Sequence, residues 1–370
     1  MIEQLKQYFR GNERRIAVAF FVAGFVFDML TLGRIDSWLM IGQQVAYLAL
    51  TMLALTQMFL EQAGPPPGQA APPPGRGRMA GVKRWYFRYR TALVHFVLGA
   101  LLSLYTLFFF KSSSLLVSFG FMGVLVGLLL ANESSRLKAL GLHFKFALLS
   151  LCLLSFFAAV VPVFVGSIGP TVFLLSALVG CLPLIGAAAW IRSSVPDLVP
   201  QARKQILLPL ACVLLGFLVF YFFRLIPPVP LSIPFIGVYH AVDRTQAGYR
   251  LSHERPRWRV WHNGDQRFLA QPGDKVYVFF RVFSPTRFSD QVLMRWYWND
   301  GRGWRLQDSI PINIVGGREE GFRGYGVKSN YQPGPWKVQV ETTDGREIGR
   351  VYFDLEVVPE APRSFALDPA

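Results

Sequence analysis

The hydrophobic pattern changes its period once along the chain, near residue 230. Before that point apolar residues come in unbroken runs, at 16–32, 38–60, 93–110, 115–131, 144–168, 171–191 and 205–225. Each run is near the ~20 residues that carry a helix across a hydrocarbon core. From Phe235 onward apolar and polar positions alternate with period two. In WKVQVETTDGREIGRVYFDLEV, Trp336, Val338 and Val340 alternate with Lys337, Gln339 and Glu341. Past the turn, Val351, Phe353, Leu355 and Val357 alternate with Arg350, Tyr352, Asp354 and Glu356. Asp344-Gly345 between them predicts a hairpin, because glycine accepts the positive φ that a tight turn demands. Further turn signals recur at Asn263-Gly264, Pro272-Gly273, Asn299-Asp300-Gly301, Gly316-Gly317 and Pro333-Gly334.

The expected fold class is therefore a multi-span α-helical membrane bundle of about seven transmembrane helices, followed by a C-terminal all-β antiparallel sandwich domain. The helical part takes residues 1–226, the proline cluster 227–234 links it to the β-domain, the β-domain takes 235–360, and 361–370 forms a tail. Within the bundle, the loop 64–78 is rich in Pro and Gly and predicts an extended linker. Pro162 and Pro183 should kink their helices. Gly123-x-x-x-Gly127 suits close helix packing.

Charge refines this picture. The chain carries a formal net charge of +15, which by itself would suit nucleic acid. Residues 1–224, however, hold 19 Lys and Arg against 7 Asp and Glu, while residues 225–370 hold 19 against 16. The excess belongs to the apolar half, which argues against nucleic acid and lets it set topology. Basic residues concentrate before the first span and in the second, fourth and sixth loops, which predicts a cytoplasmic N-terminus. An odd number of spans then places the β-domain on the periplasmic side of a bacterial inner membrane. Membrane lipid is the implied surroundings.

The three cysteines, Cys152, Cys181 and Cys212, all lie in apolar runs. The β-domain thus needs no disulfide and offers no thiolate metal ligand.

RWYWND (Arg295–Asp300), EGFRGYGVKSN (Glu320–Asn330) and PGPWKVQVETTDGREIGRVYFDL (Pro333–Leu355) resemble the bacterial family catalogued as domain of unknown function 2914. The likeness covers roughly the last 80 residues, its terminal hairpin being the most specific part, and the seven-span half with IPPVPLSIPFIGVYHAV resembles longer, membrane-anchored members. It implies a β-sandwich and a location in the bacterial envelope. It supplies no activity, cofactor or catalytic residue.

Candidate chemistry is sparse. Asp28 is an acidic residue inside the first span, one turn from its outer end, where it reaches toward Arg34 or Lys111; an ion pair and an ion pathway are both open there. Trp258 and Trp304 lie in arginine-dense segments with Arg257, Arg259, Arg302 and Arg305. Aromatic faces stack on sugar rings and Arg forks grip carboxylates or phosphates. These six residues are the candidate binding surface for an envelope glycan, a lipid headgroup or a protein partner. The same residues also suit a solvated, self-stacked face. His253 with Glu254, and His262 with Asp265, have metal-capable atoms but no close third ligand. No motif calls for a cofactor or a catalytic centre. A non-enzymatic display protein is the leading expectation, with a transporter or channel, or an envelope-modifying enzyme component, as alternatives.

Overall fold

A computed structural model describes residues 37–62, 78–112, 115–133, 141–246, 248–256, 259, 262–285, 288–317 and 321–370. The expected first span and Asp28 lie outside the described residues, as do Arg257 and Trp258. The other six apolar runs all form helices: α1 (Trp38–Gln62), α2 (Arg78–Lys111), α3 (Leu115–Glu133), α4 (Leu142–Val165), α5 (Pro170–Ser194) and a composite run over Pro196–Phe222. That last run begins with a 3-10 turn and one α-turn. It passes through a π-helical turn (Arg203–Leu207) and ends in α6 (Leu208–Phe222). Among the described residues five helices are long and apolar enough to cross a membrane, and α3 holds a shorter apolar stretch, Gly120–Leu129. Hence the coarse reading, apolar helices followed by a β-domain, holds.

Pro162 and Pro183 lie inside helices α4 and α5. One detail within the bundle differs from expectation. Gly120, Gly123 and Gly127 do not mediate close packing among the described residues: a Cβ added at any of them would meet nothing within 4 Å. The α3 face that does pack is the larger-residue one, where Phe121 meets Phe109 edge-on at 5.0 Å and Phe217 and Phe220 at 6.1 and 5.6 Å.

Among the described residues the β-domain has eleven strands: β1 (Ser232–Tyr239), β2 (Ala241–Thr245), β3 (Gly248–His253), β4 (Arg267–Ala270), β5 (Val276–Phe283), β6 (Ser289–Asn299), β7 (Trp304–Val315), β8 (Phe322–Lys328), β9 (Gly334–Thr342), β10 (Glu347–Val357) and β11 (Ala366–Pro369). They form three sheets, ordered β1-β5-β8, β4-β10-β9-β6-β7 and β11-β3-β2. The domain is mixed rather than wholly antiparallel, because β4 runs parallel to β10. A parallel neighbour needs a long crossover and not a hairpin, and β4 and β10 are far apart in the chain. Residues 361–370, expected as a tail, supply β11, which pairs with β3.

The alternation read from the sequence sets the core. Trp336, Val338, Val340, Phe353 and Leu355 are buried together with Met294 and Trp296 of β6, and Val278 and Phe280 of β5 face them. Trp296 meets Trp336 edge-on at 6.5 Å, and Trp336 stacks on Phe353 at 6.4 Å.

The β-domain sits directly on the end of the bundle. The Ser289 amide donates to the Gly166 carbonyl at 3.0 Å, and the Ile168 amide donates to Asp290 Oδ2 at 3.0 Å. The Asp344-Gly345 turn, with Gly345 at φ +79°, is more than a hairpin end. Tyr221 of α6 donates its hydroxyl to Asp344 Oδ2 at 3.4 Å, and the Arg346 guanidinium lies 4.5 Å over the Tyr221 ring. The other face of that ring stacks on Phe173 of α5 at 3.6 Å. Strands β6, β9 and β10 therefore begin or end at the bundle and point their other ends away from it.

Candidate functional site

Two constellations lie at the end of the β-domain remote from the helices. One is an exposed row on the outer face of the five-stranded sheet. Because Trp296, Trp336 and Phe353 point inward, their neighbours Tyr297, Lys337 and Tyr352 must point outward. Strand register then sets these side by side: Leu306 opposite Tyr297, Tyr297 opposite Lys337, and Lys337 opposite Tyr352. Trp304, in the register position beside Leu306, leans across to Tyr352 with ring centroids 5.8 Å apart. The Lys337 ammonium lies 4.3 Å from the Tyr297 ring centre and 5.2 Å from that of Trp304. Burial among these rings, and then the charge of Arg350, hold its pKa below the usual lysine value. Trp304 and Tyr352 each keep 40% of their surface exposed, and Leu306 keeps 50%. From Ser289, which touches the bundle, the row lies eight residues along β6, or about 26 Å at strand spacing.

The turn that carries Arg302 is pinned by its own side chains. Asn299 Oδ1 accepts from the Gly301 amide at 2.9 Å, and Asp300 Oδ1 accepts from the Arg302 amide at 2.9 Å. Arg305 Nε reaches Asp300 Oδ2 at 2.6 Å while most of its side chain stays in solvent. The described members of the expected surface come from two segments of the chain. Trp304, Arg305 and Arg302 meet at the β6–β7 turn. Arg259 lies in the loop that leads into β4, its amide donating to the Pro256 carbonyl at 3.0 Å. Tyr297, Lys337 and Tyr352 complete the row. Their signal in the sequence was only that each occupies an outward position of an alternating strand.

The other constellation is buried, and sequence reasoning paired its members differently. His253 pairs not with Glu254 but with Asp368 of β11, at 3.2 Å. Asp265 pairs not with His262 but with the region of His240: both its oxygens accept from the Glu254 amide, at 3.0 and 3.1 Å, and Oδ2 lies 3.6 Å from His240 Nε2. Glu254 Oε2 lies 3.6 Å from the same nitrogen, and Asp274 Oδ2 lies 3.9 Å from Nδ1. The His240 ring stacks on Phe268 at 4.0 Å. Arg363 closes the cluster by gripping both oxygens of Asp274, at 2.7 and 2.6 Å. Among the described residues no group of three or more His, Cys, Asp or Glu side chains is arranged to hold a metal ion.

Burial sets the charges here. It pushes the Asp265 carboxyl up to about 7, against the amide hydrogen bonds that favour ionisation. It pushes His240 down to about 4, assisted by the charge of Arg363. Burial also opposes ionisation of Asp274, but the Arg363 grip outweighs it and that carboxyl stays below the ordinary value.

A pH prediction follows. Asp265 titrates near 3.8 when unfolded and about 7 when folded, so its contribution to stability is lost as pH rises across that window. His240 titrates near 6.5 unfolded and about 4 folded, so its contribution is gained as pH rises from 4 to 6.5. Each slope is at most about 1.4 kcal/mol per pH unit, and the two oppose. Melting of the wild type should therefore be nearly flat over that range. Asp265→Asn should melt higher as pH rises from 4 to 6.5, and His240→Phe should melt lower. Parallel melting profiles for the two variants would contradict the assignment.

Comparison with known proteins bears on this same domain. Residues 289–355 match the model of a family described as Protein of unknown function (DUF2914). The match covers β6 to β10, which is the sheet that builds both the core tryptophans and the exposed row. It agrees with the resemblance carried by the terminal hairpin. No curated protein matches the chain. Among solved structures, an immunoglobulin-like protein of Pseudomonas aeruginosa is similar at 10% identity and a TM-score of 0.22, covering 35% of this chain and 98% of its own. The alkylpurine DNA glycosylase AlkC of Pseudomonas fluorescens, bound to DNA containing an abasic-site analogue, is similar at 11% identity and a TM-score of 0.21, covering 88% of this chain and 99% of its own. At those scores neither likeness carries an argument about fold or function.

Proposed function

We propose that this chain is a bacterial inner-membrane display protein. Its helices hold the β-domain on the periplasmic side, and the distal row Trp304–Tyr297–Lys337–Tyr352 binds an acidic glycan of the envelope. The single observation that carries this reading is the row itself: Tyr297, Lys337 and Tyr352 side by side in register, partly exposed, with the Trp304 ring against Lys337 and Tyr352. Rings of this kind stack on sugar faces, and the exposed guanidinium groups of Arg302 and Arg305 beside them suit carboxylate or phosphate substituents. The distribution of Lys and Arg among the loops supports the orientation.

Retention of labelled oligosaccharides by the full chain tests the proposal, in detergent and on intact spheroplasts. Acidic oligosaccharides should bind in both settings, and Trp304→Ala should weaken binding about tenfold, equivalent to ~1.4 kcal/mol. Arg302→Ala should weaken acidic sugars only. Binding unchanged by Trp304→Ala would remove the row from the reading. Binding in detergent but not on spheroplasts would overturn the orientation.

A further inference from the structure

The end of the bundle opposite the β-domain carries a second, unrelated feature. Helix α5 begins beside Ile168, which touches the β-domain, and ends at Ser194, about 36 Å away at helical rise. There a cavity of about 240 Å³ opens between α5 and the π-helical turn, lined among others by Ile185, Ala188, Ala189, Arg192, Arg203 and Leu207. Small and aliphatic side chains and two cations, Arg192 and Arg203, make up its lining. Among the described residues, the side chains of Arg192, Arg203, the adjacent Lys204 and Asp197, the acidic residue of the connecting turn, form no hydrogen bond or ion pair. The volume is below the ~300–1,000 Å³ typical of small-molecule pockets, and suits a phosphate with one short substituent.

An apolar track leads into this cavity. On α5, Leu178, Leu182 and Ile185 are exposed, at 61%, 53% and 46%. Spacings of four and three residues place them, with Ala189 and Arg192, along one stripe of the helix. Trp190, at the same level as the cavity, is half-exposed, as befits a ring in the headgroup layer. The π-helical turn widens the facing segment just where Arg203 lies, a distortion often found at functional sites.

We propose that this cavity is a binding site for one anionic phospholipid. Its phosphate lies between Arg192 and Arg203, and an acyl chain runs along the Leu178–Leu182–Ile185 stripe. Two guanidinium groups, unpaired among the described residues, line an otherwise apolar recess at the end of α5 away from the β-domain. Guanidinium forks bind phosphate oxygens bidentately, and the exposed stripe gives the chain of the same molecule a continuous apolar bed. A free phosphate would use the cations and leave the stripe idle.

Native mass spectrometry of the full chain, released from detergent after titration with phosphatidylglycerol, phosphatidylcholine or inorganic phosphate, tests the proposal. Phosphatidylglycerol should be retained at one copy per chain, at least fivefold more than phosphatidylcholine, with no displacement by millimolar phosphate. Arg192→Gln with Arg203→Gln should abolish the preference. Ala188→Phe, which fills the recess and leaves both cations, should lower retention of phosphatidylglycerol to the level of phosphatidylcholine. Equal retention of the two lipids by the wild type, displacement by inorganic phosphate, or an unchanged preference in Ala188→Phe would each overturn it, whether or not the double arginine variant folds.

Discussion

Gly264→Val is expected to unfold the distal half of the β-domain. Gly264 sits at φ +65°, in the left-handed region, and forms an isolated parallel bridge with Val238 of β1. A Cβ at this position would stand 2.1 Å from the Val238 carbonyl oxygen and 2.7 Å from its nitrogen. Both are backbone atoms of a residue paired with β5, so neither rotation nor a small shift relieves the clash. Left-handed strain for a branched residue adds to it. The variant should lose about 4 kcal/mol or more, the range reached only by a few named mechanisms. The next residue, Asp265, donates its amide to the Val238 carbonyl at 2.8 Å, so the same change should pull its carboxyl out from beneath His240. Gly273→Ala is the control. Its φ is +87°, but a Cβ there meets nothing within 4 Å, so only the backbone strain of about 1–2 kcal/mol is expected. Chemical denaturation of the full chain in detergent, followed by tryptophan fluorescence, separates the two. Equal losses would show that the close approach of the two backbones is not what requires glycine at 264.

Trp296→Ala should be the most damaging change within the core itself. The ring is fully buried, packs edge-on against Trp336 and lies in the layer shared with Met294 and Val338. Truncating such a ring removes its burial and leaves a cavity, a combination worth about 3–5 kcal/mol. Trp304→Ala should cost about 0.5 kcal/mol or less, because a surface ring forms few exclusive contacts. The pair therefore dissociates: Trp296→Ala should shift the denaturation midpoint strongly, and Trp304→Ala should leave the midpoint and affect ligand retention. A Trp304 variant as unstable as the Trp296 variant would make that ring part of the packing rather than a binding element.

How much of this was legible in the sequence depends on how far apart the interacting residues lie. The apolar runs needed no partner to be read: 38–60, 144–168 and 171–191 appear as Trp38–Gln62, Leu142–Val165 and Pro170–Ser194, since length and composition alone decide whether a helix can cross a bilayer. The β9–β10 hairpin was equally plain, because alternation and the Asp344-Gly345 turn are properties of neighbours along the chain. By contrast, the candidate surface was only partly found. Trp304, Arg305 and Arg302 do meet at one turn, and the row they join also takes Tyr297, Lys337 and Tyr352, which local composition does not mark. The buried cluster escaped because His240, Asp265, Asp274 and Arg363 come from four separate segments. Nothing local marks Arg363 as the partner of Asp274, and residues 361–370 have neither the length nor the alternation that would have announced β11.

The sequence by itself thus determined which residues form helices, which alternate in strands, and which side of each strand faces the core. Those follow from periodicity and from the dimensions of a helix and a bilayer. Only the tertiary structure decided which strands lie side by side: β4 parallel to β10, β11 against β3, and the register that lines up Leu306, Tyr297, Lys337 and Tyr352. It also turned the Asp344-Gly345 hairpin into a foot resting on Tyr221. Such neighbours are chosen by the shared core and by the closure of long loops. A two-residue period states that Tyr297 and Lys337 face outward, but a one-residue slip between their strands would have parted them.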